Sequence, residues 1–343
     1  VRVWRAYTPS TFHRSLADRA ASFVGWAGAA TAALAAGALA RPDVVVATSP
    51  SLLAWWPGLV AAARWRAPLV LEARDLWPRS AVDLGVLAAR SPTTRLLYAF
   101  ERAALARADA FVGLTPAITR DTVARGLVDA PRAHTLPNGA GGDLLDVDPD
   151  LGRERARDAL GWTGRFVALY AGAHGRANDL GQLLECAPLL PAEVLVVCVG
   201  EGPEKAALAR RARGMENVRF MDGVGRARVA ELLRAADCGL ATLARADAFL
   251  TVYPNKVFDA LACARPCVIT IDGAARALIE GAEAGLYAPP DDPAALAAAL
   301  TELAASPERA RAMGRRGRAL VAGAFDRRDI ARRYADLLAA LVA

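Results

Sequence analysis

The sequence predicts an α/β protein built as two doubly wound, Rossmann-like domains facing across a cleft. Three observations carry this. The chain has 343 residues, more than a single hydrophobic core serves. Short apolar runs alternate with helix-length segments along most of it. That rhythm breaks once, over the glycine- and aspartate-rich stretch 139–164, and then resumes.

The apolar run 44–47, between Pro42 and Pro50, reads as a buried strand, and 68–72 (PLVLE) reads as the next. Residues 51–66 between them have helical length and composition, so the three form a parallel crossover unit. Strands at 110–114 and 134–136 follow. The helix between those two carries Pro116 in its first turn, where proline is tolerated. After the break, strands are predicted at 166–171, 194–199, 218–221, 238–241 and 267–271, each separated by a helical segment. Residues 309–318 and 327–343 read as closing helices. The expected division is 1–150 for an amino-terminal domain, 151–325 for a carboxy-terminal domain and 326–343 for a closing helix.

Composition excludes several classes. Hydrophobic residues at 54% with 23% charged give a globular chain. Five scattered cysteines in apolar runs suit reduced, buried thiols of a cytoplasmic protein. His13, His134 and His174 are far apart and lack the spacing of a zinc site, so no metal is expected. Residues 1–141 carry 16 arginines against 9 acids, whereas the remainder has 26 basic against 27 acidic residues. A basic first half suits an anionic partner such as a membrane surface or lipid phosphate, and no nucleic-acid signature accompanies it. No charge lies between Arg19 and Arg41, but alanine and glycine dominate 23–40, so a buried or interfacial helix is expected there rather than a span. No signal peptide is legible ahead of it.

Only two of the 42 basic residues are lysines, and both sit in loops that open helices, GEGPEK ending at Lys205 and YPNK ending at Lys256. A compact ammonium kept where arginine fills every other cationic position suits a phosphate contact. A residue of biased composition is the other reading, above all for Lys205. Two glycine-marked turns and one proline-marked turn gather the candidates. Gly172, Gly175 and Arg176 lie in the first, Gly200, Gly202 and Lys205 in the second, and Asn255, Lys256 and Asp259 in the third. Asp259 lies three residues beyond Lys256 on the same helical face, where it can accept from ribose hydroxyls.

The segment 47–87, with RDLWP at 74–78, the LPNG at 136–139, the GEGPEK loop and YPNKVFDALACARPCV resemble the bacterial glycosyltransferase family 4 enzymes of O-antigen, capsule and exopolysaccharide assembly. The resemblance implies a retaining transferase of the GT-B fold. It implies a nucleoside-diphosphate sugar as co-substrate on the second domain, without a metal or other cofactor, and a lipid-linked or other glycan acceptor at the first. Arg74, Asp75 and Glu72 are then the acceptor-side catalytic candidates. Asp259 corresponds to the closing acid of the family's Glu-x7-Glu element. Its opening acid falls at Thr251, which cannot ionise, and the family's Lys-Gly pair is replaced near Asn178 and Asp179. The family's first strand, its glycine loop and the next strand would precede Val1.

Trp55, Trp56, Trp65, Arg64 and Arg66 form an aromatic and basic cluster. Two readings stand: a face resting on the inner side of the plasma membrane or a lipid-linked acceptor, and tryptophans packed in the core with arginines in water. At the level of function, the alternatives to a hexosyl or N-acetylhexosaminyl transferase are a nucleotide-sugar epimerase of the same fold and a non-catalytic nucleotide-binding subunit.

Overall fold

A computed structural model describes residues 3–6, 16–37, 39–49 and 51–343. His13 and Pro50 lie outside them. The chain divides into two compact units, one running up to Pro137 and including Arg332–Ala343, the other comprising Asn138–Ala331.

The first unit holds a parallel four-stranded sheet in the order β1 (Val45–Thr48), β2 (Leu69–Ala73), β3 (Ala110–Gly113), β4 (Ala133–Thr135). Both sheet faces are covered, so β2 and β3 are buried nearly throughout. The crossover helix Trp55–Trp65 lies close on the sheet because Gly58 has no side chain. A Cβ there would stand 2.6 Å from Cβ of Ala47. Thr115 caps the helix Pro116–Ala124 by accepting from the Ile118 amide, with proline in the first turn as expected.

Adjacent tryptophans on one helix point about 100° apart, and the structure splits the aromatic cluster accordingly. Trp55 is core, 2% exposed, and its indole N–H donates to the Glu72 carbonyl. Trp56 is 49% exposed beside Phe100, and Arg64 lies over the Trp65 ring. Most of the charge-free stretch lies in the helix Leu16–Ala35, which packs on the crossover helix with Ala27 and Leu34 buried. No helix among the described residues is long and apolar enough to cross a membrane.

The second unit is a six-stranded parallel sheet: β5 (Phe166–Ala171), β6 (Val194–Val199), β7 (Val218–Met221), β8 (Cys238–Thr242), β9 (Cys267–Thr270) and β10 (Gly285–Tyr287), in the order β10-β9-β8-β5-β6-β7. Alternate residues feed a core on each face, Leu169 and Val197 on one side, Tyr170 and Val196 on the other. β10, only three residues long, was not expected, being too short to show a period. The five cysteines are free and buried.

The domain division differs from the expected one. The break falls at Pro137 and Asn138, not at 150, and the glycine-rich stretch belongs wholly to the second unit. Its backbone is tied there. The Ala140 amide donates to the Phe325 carbonyl and the Arg327 amide to that of Ala140. Arg318 donates to the carbonyls of Leu145 and Val147. The closing helix, Arg327–Val342, is not separate either. From Arg332 onward it is counted with the first unit, where Arg333 donates to the Thr135 carbonyl.

Strand order reverses beside β5, whose neighbours are β6 on one side and β8 on the other. The carboxyl ends of two such strands form a topological switch point, where open α/β sheets bind ligands. The helix Asn255–Ala262 packs onto β8 at this position. A Cβ on Gly239 would stand 2.4 Å from Cβ of Ala260, so the glycine lets the helix approach.

Candidate functional site

Lys256 is the second residue of the helix Asn255–Ala262. Its ammonium donates to the Tyr170 hydroxyl at 2.8 Å and to Oδ1 of Asn178 at 3.0 Å, and lies 4.1 Å from the centre of the Tyr170 ring. Both partners are neutral. Burial pushes the ammonium down to about 7 from its ordinary 10.5, because no carboxylate compensates the lost hydration. Tyr170 reaches this position from the penultimate residue of β5, and its hydroxyl also donates to the Ala173 carbonyl. Asn178 is held by its backbone. Thr242, at the end of β8, donates to the Asn178 carbonyl at 2.6 Å, and the Ala244 amide donates to Ala177.

The glycines make the room. A Cβ on Gly172 would crowd the Tyr170 hydroxyl at 3.2 Å and Cε of Lys256 at 3.4 Å. Gly200, with φ of 148°, has its Cβ position 1.9 Å from the Gly172 carbonyl oxygen, and that of Gly202 is 2.3 Å from the His174 carbonyl oxygen. No side chain fits at either of these two positions, so the loops after β5 and β6 lie backbone against backbone. Gly175 is different, meeting nothing nearer than the Asn178 amide at 4.0 Å. His174 is fully buried in this joint, its ring edge-on to Phe220, and burial pushes its imidazole below the usual histidine range.

Asp259, one turn along the same helix, is only partly exposed. Burial raises its carboxyl above the usual range even though Arg226 lies 3.4 Å away. Arg226 bonds more closely to Asp143 at 2.5 Å, and this hydrogen bond holds the Asp143 carboxyl low. With Asn255 exposed at the first position of the helix, the proline-marked turn thus presents helix N–H groups, an ammonium and a carboxyl on one element.

Two predicted donor residues are placed otherwise. Lys205 opens a helix of seven residues and is committed to carboxylates, Glu201 at 2.8 Å and Asp222 at 2.6 Å. Glu201 also accepts from the Gly223 amide, so the trio clamps the β6 loop to the β7 loop. Arg176 is exposed on a short 3-10 turn, and its side chain has no ion pair or hydrogen bond among the described residues. Thr251 is half-buried. Sequence reasoning missed Tyr170, which reads as one more strand residue, and the pairing of Asp143 with Arg226, which are 83 positions apart.

In the first unit, Glu72 accepts from the Thr48 hydroxyl at 2.7 Å. Tyr334 lies near it, its phenol pushed up by burial and then by the Glu72 carboxylate. Arg74 is exposed. Asp75 is the perturbed group here. One carboxyl oxygen is buried without a hydrogen-bond partner, and burial raises the acid to about 6. No three His, Cys, Asp or Glu side chains among the described residues converge as a metal site requires.

Solved structures share this architecture. HepE of Anabaena, crystallised with UDP and glucose, superposes with a TM-score of 0.73 at 18% identity, over 90% of this chain and 81% of that one. Sucrose-phosphate synthase of Thermosynechococcus elongatus gives 0.76 at 21% identity, over 98% of this chain and 80% of the other. Residues 1–139 match the model of a glycosyl transferase 4-like domain, and residues 165–306 match that of glycosyl transferases group 1. Both parts of the chain are thus similar to glycosyl transferase domains, and the fold is GT-B. Among the curated glycosyltransferases, the D-inositol 3-phosphate glycosyltransferase of Kineococcus radiotolerans is 30% identical over 290 residues, 76% of this chain and 63% of the relative. The chain therefore spans less than two thirds of that relative's length.

The buried Lys256 ammonium has a measurable signature. The folded chain gives up the Lys256 proton near pH 7 and the unfolded chain near 10.5. Between those values the unfolded state binds the extra proton, so stability rises with pH. Compared with a Lys256→Met variant, the wild type gains stability from about pH 7 to about pH 10, by at most about 1.4 kcal/mol per pH unit. Denaturant melts across that range check this. A stability difference that stays flat with pH contradicts it.

Proposed function

We propose that the chain is a retaining glycosyltransferase that moves a hexosyl or N-acetylhexosaminyl group from a nucleoside-diphosphate sugar to a lipid-linked glycan in cell-surface polysaccharide assembly. The observation that carries this is Lys256, an ammonium at a helix amino terminus, on the switch point of the sheet, with neutral partners only. A diphosphate there supplies the missing negative charge. At about 4 Å and an effective dielectric near 20 the attraction is on the order of 4 kcal/mol before desolvation is counted. It grows as the diphosphate leaves, which is the charge development that such a site stabilises. With the lysine ammonium and the helix N–H dipoles offsetting the diphosphate charge, the proposed reaction needs no metal.

Gly172 and Gly175 let backbone approach the donor, Gly200 and Gly202 let the β6 loop pack against the β5 loop, Asn255 and Lys256 meet the phosphates, and Asp259 accepts from the ribose. Arg176, without a side-chain partner among the described residues, is available to close over the phosphates. Lys205 acts indirectly by holding the β6 loop. Support for a uridine donor comes from HepE, whose crystals contain UDP and glucose. On the acceptor side, Asp75 stays protonated up to about pH 6, and with Arg74 and Glu72 it is the group proposed to meet the acceptor hydroxyl.

In a thermal-shift screen against nucleotide sugars, one or more donors raise the melting temperature of the wild type. Lys256→Met loses that shift and at least tenfold in donor affinity while folding normally, and labelled donor yields glycoside rather than epimer. Full donor binding by the variant refutes the site, and an epimerised donor refutes the reaction.

The acceptor is proposed to be reached at the inner face of the plasma membrane, with Trp56, Arg64 and Arg66, all exposed, as the contact. Liposomes with anionic lipid float the wild type and leave a Trp56→Ala, Arg66→Ala variant behind. Equal partition of the two, or none, rules out that contact.

A further inference from the structure

A pocket of about 780 Å³ lies at the other end of the second unit's sheet, away from the glycine loops. Its walls are the residues that open the strands: Phe166 starts β5, Glu193 precedes β6, Asp237 precedes β8 and Pro266 precedes β9. The helices Arg153–Leu160 and Pro307–Ala324 complete it. Six arginines line it, Arg153, Arg157, Arg165, Arg265, Arg311 and Arg315, against four carboxylates.

Part of that charge is structural. Arg157 donates to the carbonyls of Ala235, Trp162 and Arg165 and to Asp237, which also accepts from Arg153. Arg265 donates through Nη2 to the Pro149 carbonyl and to Asp150, both at 2.7 Å. These bonds fasten the start of the unit to the amino edge of its sheet.

They leave a surplus. Arg265 is 6% exposed, yet its Nε has no hydrogen-bond partner. Leaving a buried charged donor unmade is costly, so the position calls for an acceptor from outside. Arg315 is exposed and free of ion pairs among the described residues, Arg311 pairs only with the exposed Glu308, and Arg165 makes one long bond to the Glu193 carbonyl. Burial, followed by repulsion from Arg265, holds the Arg153 guanidinium down to about 10. Planar guanidinium forks match tetrahedral oxyanions two bonds at a time, and the volume suits a small molecule rather than a bare ion.

We propose that this pocket binds a phosphate-bearing small molecule, at a site separate from the sugar-donor loops. Such a ligand completes the Arg265 guanidinium from inside, while Arg311 and Arg315 close over it from the rim. Binding stabilises the second unit by linkage.

Inorganic pyrophosphate, titrated by calorimetry into the full chain, tests this. The titration is repeated on Lys256→Met, in which the donor loops have lost their ammonium, and on an Arg311→Ser, Arg315→Ser variant whose changes lie on exposed positions. Saturable binding persists in Lys256→Met and weakens at least tenfold in the double arginine variant, whose melting temperature and UDP binding are unchanged. Hydrogen exchange on adding pyrophosphate slows over 149–157 and 307–315. No saturable binding by Lys256→Met, or undiminished binding by the double arginine variant, overturns the proposal.

Discussion

The second unit is organised around one uncompensated charge. A primary ammonium taken out of water loses hydration that only an opposite charge restores well, and Lys256 is given a phenol, an amide oxygen and an aromatic face instead. The surroundings serve that arrangement. Gly239 admits the helix that carries the lysine, Gly172 clears space for its stem, and Thr242 fixes the Asn178 loop. Lys205 is the counterexample within the same chain. Two carboxylates satisfy it, and it works as a clamp.

Much of this was legible beforehand. Parallel strands buried on both faces show as short apolar runs, so nine of the ten strands were expected, within about two residues at either end. The two glycine turns were legible because a strand must turn tightly into the following helix, and the third turn by the proline ahead of its helix. Lys256 stood out as an ammonium in an arginine-rich chain. Lys205 shares that signal and pairs with Glu201 and Asp222; Asp222 is 17 residues away, and sequence spacing does not show what meets across two loops. The exposed place of Arg176 was hidden for the same reason.

The domain boundary shows a different limit. Glycine and aspartate over 139–164 mark irregular chain, but not which core the irregular chain is bonded to. That is decided by backbone donors and acceptors such as Ala140 with Phe325 and by the reach of Arg318, none of which leaves a local pattern. The tryptophan cluster is the reverse case. Helical geometry alone separates Trp55 from Trp56, and the structure places one in the core and the other in solvent.

Having only two lysines makes the central claim directly measurable. In protein labelled at lysine Cε, two resonances report Lys205 and Lys256, assigned by a Lys205→Arg variant. The account predicts that the Lys256 resonance titrates near pH 7, that of Lys205 stays protonated beyond pH 10, and UDP moves the Lys256 midpoint upward by about one unit or more. Two lysines that both titrate near 10.5 and do not respond to UDP would contradict it.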